Sequence, residues 1–494
     1  MILKRFYDDK LAQASYLVGC AATGEAMVVD ANRDVDPYVR AAEEEGLEIT
    51  HVTETHIHAD YVSGSRELAE RTGGKLYLSD EGDADWKYAF AKDYDAVLLK
   101  DGDIFEVGNV RVKALHTPGH TPEHLSFVVT DTAGADQPMG VFTGDFIFVG
   151  DVGRPDLLEK AAKIAGTMEA GARTLFQSLQ RFKREVPDFV QIWPGHGAGS
   201  ACGKSLGAVP QTTLGYEKLF NWGLAITDER EFVEAVLAGQ PEPPKYFAEM
   251  KRINKAGPAV LGGFKLPRRL AESRIEAVLD EGALVIDTRS PAEFAGGHVP
   301  GTINIPLARS FNTWAGWLTP YDRDFYLIVD DRCGHCVEEA TRDLAMVGLD
   351  RLAGYFGTGA IAAWQSQSQP LQTVERVTAD EVASRLRDRS VRVLDVRGQS
   401  EWDAGHLPGA SPDEGGQVLH IPVGYLTDRI DEIPRDAPVV VHCQGGGRSA
   451  IAASVLQANG FRNVVDLPGG FTEWRAGGKP VEREERSEAA AEVS

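Results

Sequence analysis

Cysteine is scarce in this sequence: five residues, at 20, 202, 333, 336 and 443, in a chain of 494. An odd, scattered set does not make a disulfide framework, so each is read singly as a possible reactive thiol. Long apolar runs are missing as well. The longest, around Ala450–Leu456, falls far short of the ~20 residues of a membrane span, and Met1–Asp9 carries Lys4, Arg5 and two aspartates where a signal peptide would have its apolar core. Positive charge is in deficit, 51 basic against 74 acidic residues for a net charge of −23, which repels polyanions. These absences lead us to expect a cytoplasmic chain with neither nucleic acid nor a membrane as partner, and any anionic substrate then needs a local basic pocket. What is present is ordinary globular composition, 43% apolar and 25% charged, in a length that suggests about three domains at roughly 150 residues each.

An internal repeat organises the second half. Ala283–Pro306 reads ALVIDTRSPAEFAGGHVPGTINIP, and Val391 onward reads VRVLDVRGQSEWDAGHLPGA. At one constant offset Asp287/Asp395, Arg289/Arg397, Glu293/Glu401, Gly297/Gly405, His298/His406, Pro300/Pro408 and Gly301/Gly409 all match. Each copy alternates apolar β-branched runs with helix-like stretches, which predicts a parallel sheet with helices on its faces. The first half has short β-like runs (26–30, 47–52, 75–78, 110–115, 125–129, 140–143, 189–193) that each end in a polar, Gly- or His-bearing loop, which predicts chemistry at strand ends. The domains expected are 1–250, a linker 251–270, the repeat copies 271–370 and 371–482, and a disordered charged tail 483–494.

Seven of the twelve histidines lie between 51 and 196, most of them in loops just after strands: THIHADYVSG holds His56, His58 and Asp60; HTPGHTPEH holds His116 and His120; FTGDFIF holds Asp145; WPGHGAG holds His196. Histidines and an aspartate brought together at one sheet edge predict a metal site. THIHADYVSG, TPGHT and TGD, in that order, resemble the metallo-β-lactamase superfamily and, within it, the persulfide dioxygenase branch related to glyoxalase II. The resemblance implies an αββα sandwich and one Fe(II) per chain held by His56, His120 and Asp145, two imidazoles and a carboxylate that leave positions open for substrate and dioxygen. His116 and His124 we read as structural. Dinuclear hydrolases of the superfamily carry histidine where this chain has Tyr61, and phenol is a poor neutral ligand, so Asp60 and His196 would hold a second zinc nearly alone and a mononuclear site is favoured. His58, Asp60, Tyr61, Arg154, His196 and Cys202 are candidates for positions around the metal or substrate. Arg154 reads equally as an ion pair or a substrate contact, and Cys202 as a thiol of the cleft or a buried inert one.

In the last domain VVVHCQGGGRS runs from an apolar strand through Cys443, Gln444, Gly445, Gly446 and Gly447 to Arg448 and Ser449, then into a helix-like stretch. Three glycines let successive N–H groups curl inward and the helix N-terminus adds its dipole, a setting for a thiolate nucleophile at Cys443 with Arg448 bracing the loop or attracting an anionic donor. This loop, with LDVR, EWDAGHLPGA and LPGGFTEW, resembles the rhodanese sulfurtransferases over Thr373–Pro480. Phosphatase relatives carry one more residue between cysteine and arginine, so sulfur transfer is favoured. Aligning Val329 with Val441 puts Asp331 opposite Cys443 and Cys336 opposite Arg448 in the first copy, which makes that copy a silent pseudo-rhodanese. Its CGHC (Cys333, Cys336) is a weak metal or redox signal set against an ordinary loop.

The whole order resembles the fused persulfide dioxygenase–sulfurtransferases of bacterial sulfide detoxification. That resemblance implies oxidation of a low-molecular-weight thiol persulfide with O2 to sulfite, coupled at Cys443 to sulfite and thiosulfate, in a homo-oligomer. The alternative is a zinc-dependent, glyoxalase II-type thioester hydrolase fused to rhodanese domains.

Overall fold

A computed structural model describes residues 1–157, 167–367, 369–410 and 416–483. The chain forms two compact units, Met1–Lys265 with Arg342–Gly348, and Leu266–Thr341 with the chain from Leu349. No helix among the described residues is long and apolar enough to cross a membrane. The expected tail lies, from residue 484, outside the described residues, while Glu482 at the head of that charged run pairs with His406 in an antiparallel bridge.

Two six-stranded sheets make the first unit. One runs in chain order through β1 (Ile2–Asp8), β2 (Gln13–Cys20), β3 (Glu25–Val29), β4 (Glu48–Thr53), β5 (Lys75–Ser79) and β6 (Val97–Leu99), antiparallel to β3 and parallel beyond it. The other comprises β7 (Ile104–Val107), β8 (Val110–His116), β9 (Leu125–Asp131), β10 (Gly140–Gly144), β11 (Gln191–Pro194) and β12 (Thr212–Thr213). Period-two alternation sorts their side chains: Tyr16 and Val18 join Val112, Phe127, Phe142 and Trp193 between the sheets, while Leu17 faces outward among Val28, Val52 and Leu76. Helices Asp36–Glu44 and Ser65–Thr72 flank the first sheet, and helices Met168–Glu185 and Glu229–Leu237 supply Leu175, Phe182 and Phe232 to the outer core of the second. This is the expected αββα sandwich. All seven predicted strand runs are strands, with ends within a residue or two; β1, β2, β6, β7 and β12 are strands outside the predicted set.

Each repeat copy is a small parallel sheet. The first has the order β14 (Ile303–Asn304), β13 (Leu284–Asp287), β15 (Phe325–Val329), β16 (Leu352–Gly357). The second has β17 (Glu375–Arg376), β21 (Val464–Leu467), β20 (Val439–His442), β18 (Arg392–Asp395), β19 (Val418–His420). The matched residues do the same work twice. Arg289 clamps Asp287 and the Gly297 carbonyl as Arg397 clamps Asp395 and the Gly405 carbonyl, and His298 stacks on Phe294 as His406 stacks on Trp402.

The expected linker 251–270 is structured at both ends. Helix Tyr246–Ala256 runs through its start and buries Asn254, and Arg269 bridges to Tyr355 of β16 at its end. Two of the five cysteines, Cys333 and Cys336, are joined in a disulfide, which corrects the reading of all five as single thiols; Cys20, Cys202 and Cys443 are free and buried.

Candidate metal centre and thiol loop

The loops after β4, β8, β10 and β11 deliver the histidine cluster to one edge of the sandwich. His56, His120 and Asp145, all buried, place one ligand atom each within 4.8 Å of the others. His120 Nε2 lies 3.5 Å and His56 Nε2 3.9 Å from Asp145 Oδ2. The tautomers are set from behind: the Arg154 carbonyl accepts from His120 Nδ1 at 3.0 Å, and Thr55 Oγ1 lies 3.0 Å from His56 Nδ1. Burial, reinforced by the neighbouring histidines, holds His56 well below the usual imidazole range, and burial also lowers His120, against the pull of Asp145. Both Asp145 carboxylate oxygens are buried without a hydrogen-bond partner among the described residues. Neutral imidazoles aimed at an unsatisfied carboxylate form a donor set that fits a divalent metal. Gly144 permits the turn that presents Asp145, because its φ of +46° is a left-handed conformation and a Cβ there would run into Thr55.

His58 and Tyr61 are turned to other partners. His58 Nε2 meets Asp30 Oδ1 at 3.1 Å; burial works against the cation, but Asp30 and Glu54 lift it to about 9. The Tyr61 hydroxyl donates to the Asp30 carbonyl at 3.3 Å. Asp60, His196 and Cys202 form a second buried group with ligand atoms within 4.8 Å of one another, which places the Cys202 thiol beside both of the other two. His196 donates from Nδ1 to the Ala12 carbonyl, while Nε2 sits 3.1 Å from Asp60 Oδ2 and 3.5 Å from Asp145 Oδ1. Burial opposes a charged His196, but Asp145 and Asp60 lift it well above the usual imidazole range, whereas burial pushes the Cys202 thiol up to about 12. The second position is therefore richer in ligands than Asp60 and His196 alone.

Arg154 is fully buried and its guanidinium is engaged by Asp156 and the carbonyls of Ala201 and Pro241. Of its two sequence readings, the geometry is that of an ion pair. His124 accepts from the Asp145 N–H, and His116 meets the Pro122 carbonyl, both structural placements. Sequence reasoning missed Asp30, whose carboxylate ties the Thr55 N–H and His58 together, and Asn254, which donates to the carbonyls of His58 and Tyr61 and accepts from Ser63 N–H. Asp30 was visible as the polar residue ending the apolar run AMVV; nothing near Asn254 in the sequence marks it.

In the second repeat copy Cys443 follows β20 directly, and the Gly446 N–H donates to its Sγ at 3.1 Å. Helix Gly447–Ala458 begins behind it. Arg448 makes a bidentate pair with Glu401 at 2.6 and 2.7 Å, Ser449 donates to Asp466, and Gln444 is tied to Thr472. Glu401 was not predicted, although its match to Glu293 was in the repeat. A cavity of about 470 Å³ opens over Cys443, and Pro306, Ser310 and Trp314 of the first copy line it with Arg448.

Sheet register corrects the alignment of the two loops. Asp287 pairs with Ile328, and its equivalent Asp395 pairs with His442, so Val329, not Asp331, is the equivalent of Cys443. Six residues follow Val329 before the helix starts at Cys336, where three follow Cys443. The loop arginine is not lost to Cys336 either: Arg332 reaches Glu293 at 3.1 Å as Arg448 reaches Glu401. Asp331 is taken up by Arg269 at 2.8 Å. The first copy still has no nucleophile at the end of its strand, now because a valine stands there.

Comparison with known proteins matches residues 8–196 to the metallo-beta-lactamase superfamily and residues 272–367 and 378–477 to the rhodanese-like domain. The crystal structure of a metallo-beta-lactamase from Staphylococcus aureus subsp. aureus COL is 45% identical over 72% of this chain and 98% of its own, and superposes with a TM-score of 0.64. A probable metallo-hydrolase of Burkholderia pseudomallei is 32% identical over 31% of this chain, which spans 60% of that relative's length. The mitochondrial persulfide dioxygenase of Bos taurus is 26% identical over 40% of this chain and 68% of its own.

Proposed function

The chain belongs to the metallo-beta-lactamase superfamily in its first domain and carries two rhodanese-like domains after it, and on that premise we propose that it is a mononuclear Fe(II) persulfide dioxygenase joined to a sulfurtransferase. The observation that carries this reading is the division of labour in the histidine cluster. His56, His120 and Asp145 converge with their coordinating atoms free, while His58 and Tyr61 are committed to Asp30 and His196 to Asp60. Likeness to the bovine persulfide dioxygenase supports the same reading. His56, His120 and Asp145 would hold a ferrous ion, which would supply the redox chemistry by which a sulfur anion reacts with dioxygen. The chain's own part is to aim both imidazoles, through the Arg154 carbonyl and Thr55, and by burying all three ligands to keep those imidazoles neutral and bulk water out.

At the second site the Cys443 thiolate attacks the sulfane sulfur of a donor such as thiosulfate; the new S–S bond forms on Cys443 and sulfite departs with the electron pair of the bond that breaks. Run backwards, a Cys443 persulfide passes its outer sulfur to sulfite. Gly446 N–H supports the charge on Sγ, and Arg448, held in place by Glu401, puts a cation beside the cavity for the anion.

A zinc-dependent hydrolase, of the thioesterase type, is the second reading, favoured by one observation: Asp60, His196 and Cys202 can hold another ion. Metal analysis separates the two. The dioxygenase reading expects close to one iron per chain, lost in His120→Ala and kept in His196→Ala; two tightly bound zinc ions, both disturbed by His196→Ala, establish the hydrolase.

A further inference from the structure

The first repeat copy has lost its strand-end nucleophile but not its sulfur. The lengthened loop after β15 carries the Cys333–Cys336 disulfide, with both cysteines half-buried and Gly334 and His335 between them exposed. Cys336 is the first residue of the eleven-residue helix Cys336–Met346, where the Glu339 N–H bonds to the His335 carbonyl. His335 Nδ1 lies 3.8 Å from Cys333 Sγ. A cavity of about 230 Å³ opens against this loop, lined by Cys333 with Arg269, Asp330, Asp331, Glu338 and Tyr355. Cys333 lines it and Cys336 does not.

We propose that this disulfide is a thiol–disulfide exchange site for small neutral or cationic thiols, a redox centre separate from both the metal site and Cys443. The arrangement gives the two sulfurs different jobs. An incoming thiolate entering the cavity meets Cys333 Sγ, so the bond that forms is R–S to Cys333 and the bond that breaks is Cys333–Cys336. Cys336 leaves as a thiolate at the positive end of its helix, the better place for that charge. A second thiolate then attacks the sulfur of the bound R group, releasing R–S–S–R and the Cys333 thiolate, with the His335 imidazole in reach of that sulfur. In sum two thiols lose two electrons and two protons, and the cysteine pair gains them. The cavity is too small for a bulky partner, and its acids outnumber its one cation: Arg269 is already paired with Asp331 and Glu272, while Asp330 is held by Arg332 and Glu338 stands beside them. Anionic thiols are repelled from it and cationic ones drawn in.

None of this rests on the identity of the metal. The test takes the full-length oxidised chain at low salt and treats it with cysteamine, 2-mercaptoethanol or 3-mercaptopropionate, reading Cys333 and Cys336 by maleimide labelling and peptide mass. Each rate is divided by the same thiol's rate with a free small disulfide, which removes intrinsic reactivity. Reduction within minutes is expected at millimolar thiol, with the corrected rate several-fold higher for the cation than for the anion, a ratio that narrows in Glu338→Gln and at high salt. Cys336→Ser treated with cystamine is expected to retain its mixed disulfide on Cys333. A disulfide that survives hours of millimolar thiol overturns the proposal, as do equal corrected rates for the three thiols, which would mean that exchange does not pass through this cavity.

Discussion

Three consecutive glycines follow Gln444, and the structure assigns them unequal importance. Gly446 has a φ of +94°, and a Cβ there would stand 2.9 Å from the Pro468 carbonyl carbon and 3.1 Å from its Cα, with the carbonyl oxygen closer still. All three are backbone atoms, so the collision is not relieved by rotating a side chain. An alanine in the left-handed region costs about 1–2 kcal/mol before any clash, and relief of the clash must move the N–H that donates to Cys443 Sγ at 3.1 Å. A hydrogen bond to a charged group is worth about 1.5–3 kcal/mol, so Gly446→Ala should slow sulfane-sulfur transfer from thiosulfate roughly 10- to 100-fold. Gly445 and Gly447 lack a positive φ, and a Cβ at either meets nothing within 4 Å. Their alanine variants should stay within about 3-fold of the parent, inside the ordinary range of a surface substitution. The assay is thiosulfate-to-thiol transfer by the three variants side by side, with metal content as the control for folding of the first domain. If all three fall equally, or if Gly446→Ala transfers sulfur normally, the account of how this loop supports its thiolate is wrong.

Cys443→Ser should abolish sulfur transfer while leaving metal content and persulfide-dependent O2 uptake in place; loss of oxygen uptake to the level of His120→Ala would refute two separable sites. Trp314→Ala, which removes a wall contributed by the first copy, should raise KM for a bulky thiol more than it lowers kcat, and an unchanged KM would mean the substrate does not reach that wall. Asp466 supplies the pH prediction. Burial raises its carboxyl to about 6, against the hydrogen bond from Ser449 and the charge of Arg376. The folded form therefore holds its proton more tightly, and stability falls as pH rises from the unfolded value near 4 to about 6. Above that the ionised group costs up to about 3 kcal/mol. Asp466→Asn should raise the unfolding midpoint at pH 7.5 and change it little at pH 4; equal shifts at both would show that the charge is not what matters.

How much of this was legible beforehand depends on the range of the signal. The strands of the sandwich and the parallel sheets of both repeat copies follow from apolar runs with turn residues at their ends, a local pattern. His56, His120 and Asp145 could be gathered because each ends such a run, so the fold brings them to one edge. The repeat pairs predicted duplicated geometry, and the clamps Arg289–Asp287 and Arg397–Asp395 are the same in both copies. What failed was register and partner choice. A gap of a few residues in the loop after β15 moved the apparent nucleophile position from Val329 to Asp331, because one strand of Val, Ile and Leu aligns about as well at several offsets. Asn254 and Asp30 were overlooked because their work lies in hydrogen bonds to residues far away in the chain. Cys202 reads two ways in the sequence for the same reason: only folding puts its thiol beside Asp60 and His196.

The central claim, a single redox-active iron at His56, His120 and Asp145, is tested most directly with an oxygen electrode. Iron-loaded protein given a low-molecular-weight thiol persulfide should consume O2 and form sulfite, with His120→Ala inactive under the same iron loading. Absence of oxygen uptake on every persulfide tried, together with thioester hydrolysis by the zinc-loaded chain, would contradict it.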